Sequence, residues 1–288
     1  MQACRIGDRT FADTSGEGRG NIGAIELQNY TIVIDSTLFP STATTFRKSL
    51  ETQIRAPIRK LVLTHYHADH VFGNQVFKDC EIISTTQLLQ HMEKQAHTFK
   101  LSDSDIKERP ELAELKCLEM TFPTMTFEKA ISLRDDGFIV EITRVGGHTE
   151  GSSFVYFPQE HILFSGDLIF AKEFPWAGDE TCNPQEWINA LKLFKELDVE
   201  KIVPGHGPIC DKSEIDRYLK FYEETTAIIK NLIERGFTKK EVLQYQDFPS
   251  FYTYERRKGA FERRSGTLAR WYDFYKHRLN INQQRSLR

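Results

Sequence analysis

Three things are scarce in this chain, and each scarcity closes off a class of protein. Cysteine is the first. The 288 residues hold only Cys4, Cys80, Cys117, Cys182 and Cys210, far apart and with no CxxC pair. An odd, dispersed set argues against a disulfide framework and fits a reduced compartment. Long apolar runs are the second. None approaches the ~20 residues of a membrane span. The opening eight residues, from Met1 to Asp8, lack the apolar stretch of a signal peptide, so a cytoplasmic location and no membrane partner are expected. Net charge is the third. Lys and Arg number 38 against 41 Asp and Glu, leaving −3, which gives no electrostatic footing for nucleic acid.

What is present reads as a globular protein of one large or two modest domains, with 40% hydrophobic and 27% charged residues. Residues 1–12 alternate weakly, as one strand, before a glycine-rich loop at 14–20. Strands are expected at 21–27 and 30–35. A helix over 41–55 has Ser41 or Thr42 as its cap, and β-branched Thr31, Ile32, Val33 and Ile34 suit a buried strand. A strand at 60–63 follows, then a short helix over 71–77 and a strand at 81–84. Residues 85–120 form a charged helical excursion broken at Pro110. Strand character returns over 122–145, 154–157 and 161–164. A helix over 183–197 has Asn183 as cap and Pro184 at its first position, and 201–203 is a last strand. From Asp211 the texture becomes helical, over 211–235, 239–246 (capped by Thr238) and about 258–279. The last carries a stripe of Phe261, Leu268, Trp271, Tyr272, Tyr275 and Leu279, fit for a core or a homodimer face. The chain thus divides into 1–210 and 211–288.

The sequence centres on Thr64-His65-Tyr66-His67-Ala68-Asp69-His70. Four metal-binding side chains in six residues, at the end of an apolar strand, are hard to explain as packing. In extended chain, residues i and i+2 share a face, so His65 and His67 can grip one ion. A turn after Ala68 brings Asp69 and His70 to a second. Three further segments follow the same grammar, an apolar strand and then a sharp turn bearing one ligand. They are Val145-Gly146-Gly147-His148, Leu163-Phe164-Ser165-Gly166-Asp167 and Ile202-Val203-Pro204-Gly205-His206. Glycines permit the turn that aims His148, and the Asp167 carboxylate can bridge two cations. His91, His97, His161 and His277 stand outside these patterns and read as surface or packing residues.

The succession HxHxDH, GGHTxGS, SGD and PGHG over roughly residues 1–210 resembles the metallo-β-lactamase superfamily of hydrolases, and its glyoxalase II-like branch in the aspartate bridge. The resemblance implies an α/β fold, the αββα sandwich, here with a C-terminal helical extension. It implies two divalent metal ions per chain, zinc first, with iron or manganese as alternatives. His65, His67 and His148 would hold one; Asp69, His70 and His206 the other; Asp167 would bridge. The expected reaction is hydrolysis of a small-molecule thioester, ester or lactone by a metal-bridging hydroxide. Asp69 would hold that hydroxide and shuttle a proton. Phosphodiesters and β-lactams are promiscuous variants. An iron-dependent oxidoreductase such as a sulfur dioxygenase, or a regulatory protein on the same scaffold, is the alternative. The loop 170–176, the 85–120 excursion, Tyr252 and Tyr254 are the expected pocket walls. The basic residues Arg256, Arg257, Lys258, Arg263 and Arg264 do not align with the glutathione-binding set of that branch, which leaves glutathione recognition open.

Overall fold

The computed structural model describes residues 1–99, 101–252 and 260–286. Two twisted sheets stack face to face with helices on both outer faces. The first sheet holds β1 (Cys4–Arg5), β2 (Thr10–Asp13), β3 (Ile22–Glu26), β4 (Thr31–Ile34), β5 (Ile58–Val62), β6 (Glu81–Thr85) and β7 (Met125–Phe127), in sequence order. Its pairings are antiparallel from β1 to β4 and parallel from β4 to β7. The second sheet holds β8 (Ala130–Asp135), β9 (Phe138–Arg144), β10 (Ser153–Phe157), β11 (Ile162–Phe170) and β12 (Lys201–His206), with only β11 and β12 parallel.

The parallel pairings require crossovers, and these supply the helices. In chain order they are α1 (Pro40–Glu51), α2 (Ala68–Val71), α3 (Thr86–Thr98), α4 (Asp103–Glu108) and α5 (Pro184–Glu196). Then come α6 (Lys212–Glu234), α7 (Lys239–Gln244) and α8 (Ala260–Ser286). Strand alternation divides the core into three layers. Ile32, Ile34, Val62 and Ile83 meet Ile142, Val155, Phe164 and Val203 between the sheets. The opposite face of the first sheet, with Val33, Leu61 and Ile82, packs under Phe46, Leu50 and Leu88. Phe154, Tyr156 and Leu163 turn outward from the second sheet against Trp187, Phe194, Tyr218, Tyr222 and Trp271. Central strands are therefore apolar on both faces, which is why they read as continuous runs.

Several boundaries differ from the sequence reading. Residues 1–12 make a hairpin, β1 and β2, because the chain turns back between Arg5 and Thr10. Helix α1 begins at Pro40 with Phe39 in the cap position; proline needs no N–H partner there, and Thr42 bonds back to Phe39 O instead of capping. Strands β11 and β12 run past 164 and 203, so Asp167 and His206 are strand residues. Helix α7 ends at Gln244. The excursion matches expectation: α3, α4 and a 3-10 segment opened by Pro110, with no strand among the described residues past Thr85.

The α8 stripe lies inside this architecture. Leu268, Trp271, Tyr272 and Tyr275 are buried in the outer layer of the second sheet, and Trp271 donates its Nε1–H to Thr226 Oγ1 at 3.2 Å. The Phe261 side chain lies outside the described residues. Truncation of a buried indole costs about 3–5 kcal/mol. Trp271→Ala is therefore expected to lower stability by about that amount, read in urea as one transition shifted equally by far-UV and near-UV probes. A shift confined to a minor early transition would show that α8 is not part of the cooperative core.

Candidate metal centre

Six of the seven side chains singled out in the sequence are delivered by a strand end or by the backbone past it, and the seventh, Asp167, by the interior of β11. After β5 the chain bends at Thr64, is extended at His67 (φ −65°, ψ 146°) and enters α2 at Ala68. His65 and His67 thus precede the helix, and Asp69 and His70 project from its first turn. Gly146 and Gly147 take φ of +68° and +99°, the turn that swings His148 inward. Asp167 sits within β11 beside a register irregularity at Gly166, opposite β12. A Cβ on Gly205 would stand 2.0 Å from Asp167 Oδ1, so only glycine lets β12 pass this carboxylate.

The residues converge as two sets. Donor atoms of His65, His67, His148 and Asp167 lie within 4.8 Å of one another, as do those of Asp69, His70 and His206. The Asp167 carboxylate faces both. Its Oδ2 is 3.6 Å from His65 Nε2 and 3.4 Å from His148 Nε2. Its Oδ1 is 3.1 Å from His70 Nε2 and 3.3 Å from His206 Nε2. His67 presents Nδ1, 2.9 Å from His148 Nε2. Asp69 Oδ2 is 3.4 Å from His206 Nε2. Beside the second set opens a cleft of about 450 Å³, lined in part by Ser15, Arg19, Asp69, Glu173, His206 and Arg263.

The electrostatics of the two sets differ. Burial holds His65 down at about 3, helped by the like charge of His70, and pushes His148 well below the ordinary histidine range. Those imidazoles are neutral, the form that donates a lone pair to a metal. Burial also opposes charge on His70 and His206. Asp167, with Asp35 and Asp69 at His70 and Asp69 at His206, outweighs it and raises both. Burial opposes the Asp167 charge too, but His206, His70 and His65 keep its carboxyl well below the usual range. His65 Nε2, His70 Nε2 and Asp167 Oδ1 are nevertheless buried without a hydrogen bond aligned on them among the described residues. Each such atom costs about 1–3 kcal/mol if left alone. A divalent cation is the partner that imidazole and carboxylate donors fit.

Two carboxylates hold these ligands in turn, and the sequence reading missed both. Asp35, buried and at φ +59°, accepts from Thr64 N–H and Thr64 Oγ1, each at 2.8 Å, and faces His70 Nδ1 at 2.8 Å. Its signal was present: it ends an apolar strand as the other ligands do. Asp179 faces His67 Nε2 at 3.0 Å. It also accepts from Thr181 N and Oγ1 at 2.7 and 2.6 Å and from the Tyr66 hydroxyl. Those bonds keep its pKa low against the burial that would raise it. No local pattern marks Asp179; it lies in an irregular loop. His91 is a packing residue as expected, stacked on the Tyr66 ring at 4.4 Å and paired with Glu150 at 2.6 Å. Trp176, in the loop expected as a wall, is 5.1 Å from the His67 ring. Tyr252 donates to Glu214 at 2.7 Å, while Tyr254, Arg256, Arg257 and Lys258 lie outside the described residues.

Removing such a partner weakens a metal site about 10–100-fold. Asp179→Asn and Asp35→Asn are each expected to lose that much affinity for Zn²⁺ or Co²⁺ in chelator competition, with the far-UV spectrum unchanged. Unaltered affinity in both would mean that these carboxylates only pack.

Comparison with known proteins agrees with this geometry. The sequence model of the metallo-beta-lactamase superfamily matches residues 15–83 and 127–206, segments that contain all seven side chains. The alpha subunit of 2,4-dinitroanisole O-demethylase from Nocardioides sp. is 25% identical over 252 residues, 84% of this chain and 68% of that one. The acyl-coenzyme A thioesterase MBLAC2 of Gallus gallus is 29% identical over 157 residues, 50% of this chain and 55% of that one. The chain thus spans between about half and two thirds of these relatives. A metallo-beta-lactamase from Pontibacter korlensis shares the fold, with a TM-score of 0.60 at 19% identity, covering 77% of this chain and 98% of its own. With two stacked sheets, outer helices and the His/Asp clusters at the strand ends, the chain belongs to the metallo-β-lactamase superfamily.

Proposed function

We propose that this protein is a dinuclear metal-dependent hydrolase of small-molecule thioesters, esters or lactones, nearest in its aspartate bridge to the glyoxalase II-like branch. The observation that carries the reading is the Asp167 carboxylate, one oxygen turned to each ligand set. His65, His67 and His148 would hold one cation, Asp69, His70 and His206 the other, with Asp167 shared. Imidazole and carboxylate donors suit zinc, and also iron or manganese. A bound pair of divalent ions supplies an activated water at neutral pH and polarises the carbonyl under attack.

The chain's own residues supply the rest. Asp69 is the one ligand-set carboxylate open to the cleft, its side chain 28% exposed against 4% for Asp167. It would accept the proton of an incoming water and return it to a leaving thiolate or alkoxide, a role its exposure supports. His65, His70 and His148 are fully buried, so their positions are set by packing before substrate arrives. Phe170, stacked on the His206 ring at 4.9 Å with 2° between planes, fixes the edge of the second set. A relative that is an acyl-coenzyme A thioesterase supports placing thioesters first.

The test is a panel of acyl-glutathione thioester, acyl-coenzyme A, lactone, aryl ester, phosphodiester and β-lactam, given to metal-loaded and metal-stripped protein. Metal-dependent hydrolysis of a carboxylic substrate is expected. Silence across the panel with metal bound, together with oxygen uptake on a persulfide, would replace hydrolysis with the oxidoreductase reading. Asp167→Ala is expected to lose metal and to lower kcat/KM on the order of 10³-fold, about 4 kcal/mol of transition-state stabilisation. Normal metal content and turnover in that variant would remove the bridge. Asp69→Ala is expected to cost about 10²–10⁴-fold in kcat if it carries the proton, read alongside metal content at the second set.

A further inference from the structure

The two sides of the centre are chemically unlike. The cleft beside the second set is polar, with Ser15, Arg19, Glu173 and Arg263 on its walls. The walls of the first set are aromatic. The His148 ring has Trp187 at 5.2 Å, Phe170 at 5.7 Å and Trp176 at 5.9 Å. Trp187 and Phe170 are fully buried and belong to the core. Trp176 is different: half-buried, it stands against both His67 and His148.

Its hydrogen bonding is different too. Of the three tryptophans, Trp187 donates Nε1–H to Leu168 O at 2.9 Å and Trp271 donates to Thr226 at 3.2 Å. The Trp176 indole makes no hydrogen bond among the described residues, and its Nε1 edge lies over Gly178, which is exposed. Yet the backbone around it is clamped. Thr267 Oγ1 of α8 donates to Pro175 O at 3.0 Å and accepts from Ala177 N–H at 3.2 Å. Asp179, three residues on, is anchored to His67, Tyr66 and Thr181. A large aromatic surface is thus held at the rim of the first set, half-buried and with no hydrogen bond on its donor among the described residues. That is the form of a preorganised contact for a ligand.

Resting on the hydrolase reading above, we infer that Trp176 is the specificity-determining residue of this centre. It packs against a flat or apolar substituent of the acyl group, while the polar remainder of the substrate lies in the cleft. The substrate class is an amphiphilic acyl compound, aryl- or alkyl-bearing on the side of the first set, in preference to an acetyl compound.

The test separates binding from turnover. Full-length protein loaded with Co²⁺ is titrated with phenylacetate and with acetate, read by the visible absorption of the metal. Wild type is expected to prefer phenylacetate by about tenfold or more, the discrimination an apolar wall supplies. In Trp176→Ala the preference is expected to fall to about twofold, with Trp176→Phe keeping most of it. The ratio of kcat/KM for phenylacetyl over acetyl thioester is expected to follow the same order. An unchanged preference in Trp176→Ala overturns the inference. So does loss of metal in both variants, which would make the indole a support for His67. If wild type turns over neither thioester but still prefers phenylacetate, the hydrolase reading fails and the wall stands.

Discussion

A single buried carboxylate sets the terms for this structure. Asp167 lies in a strand, 4% exposed, with four imidazole nitrogens between 3.1 and 3.6 Å of its two oxygens. A charge so placed persists only if cationic partners surround it, and the neighbouring elements are shaped to supply them. Strand β12 can pass close because residue 205 is glycine, and β11 shifts register at Gly166 where the carboxylate turns in. The two sheets bring four separate stretches of chain to one rim, which no single helix or hairpin could do. His70 and His206, raised by their carboxylate neighbours, offset the negative charge on one side. His65 and His148, kept neutral by burial, leave the other side to a cation.

This asymmetry gives the layer behind the ligands its importance. A histidine ligand is defined by what its second nitrogen touches. At His70 that partner is Asp35, which also secures Thr64 at the head of the ligand segment. At His67 it is Asp179, reached from the loop between β11 and α5. The same loop carries Trp176, clamped by Thr267 of α8. Among the described residues the C-terminal helices place no candidate ligand in the centre, and Thr267 of α8 fixes the backbone on either side of Trp176.

The legible part of this arrangement was local. His65, His67, Asp69 and His70 announce themselves by density, and His148, Asp167 and His206 by recurrence of strand, glycine and ligand. The helices with strong caps at Asn183 and Thr238 were legible for the same reason: capping is written in adjacent residues. What stayed hidden depends on contacts remote in sequence. Asp179 meets His67 across 112 positions, and Thr267 meets Ala177 across 90. Neither has a neighbour in sequence that betrays it. The lengths of β11 and β12 were hidden because Gly166 and Pro204 read as breakers, while in a parallel pair at a bulge they are accommodated. Asp35 is the instructive middle case. It obeyed the rule that identified the other carboxylates, but its φ of +59° and its role behind His70 appear only in three dimensions.

The joining of recognition and metal support in one loop has a consequence for how such a site can change. Trp176 and Asp179 are anchored by different partners, Thr267 around one and Tyr66 with Thr181 around the other, yet both touch His67, so a substitution at Trp176 is coupled to the support of that histidine. The second set is more independent, resting on Asp35 and on the stack of Phe170 over His206. Neighbours that share a partner do not contribute additively, so the rim at Trp176 is free to vary only as far as His67 keeps its place, and Asp167, shared by both ligand sets, is less free still.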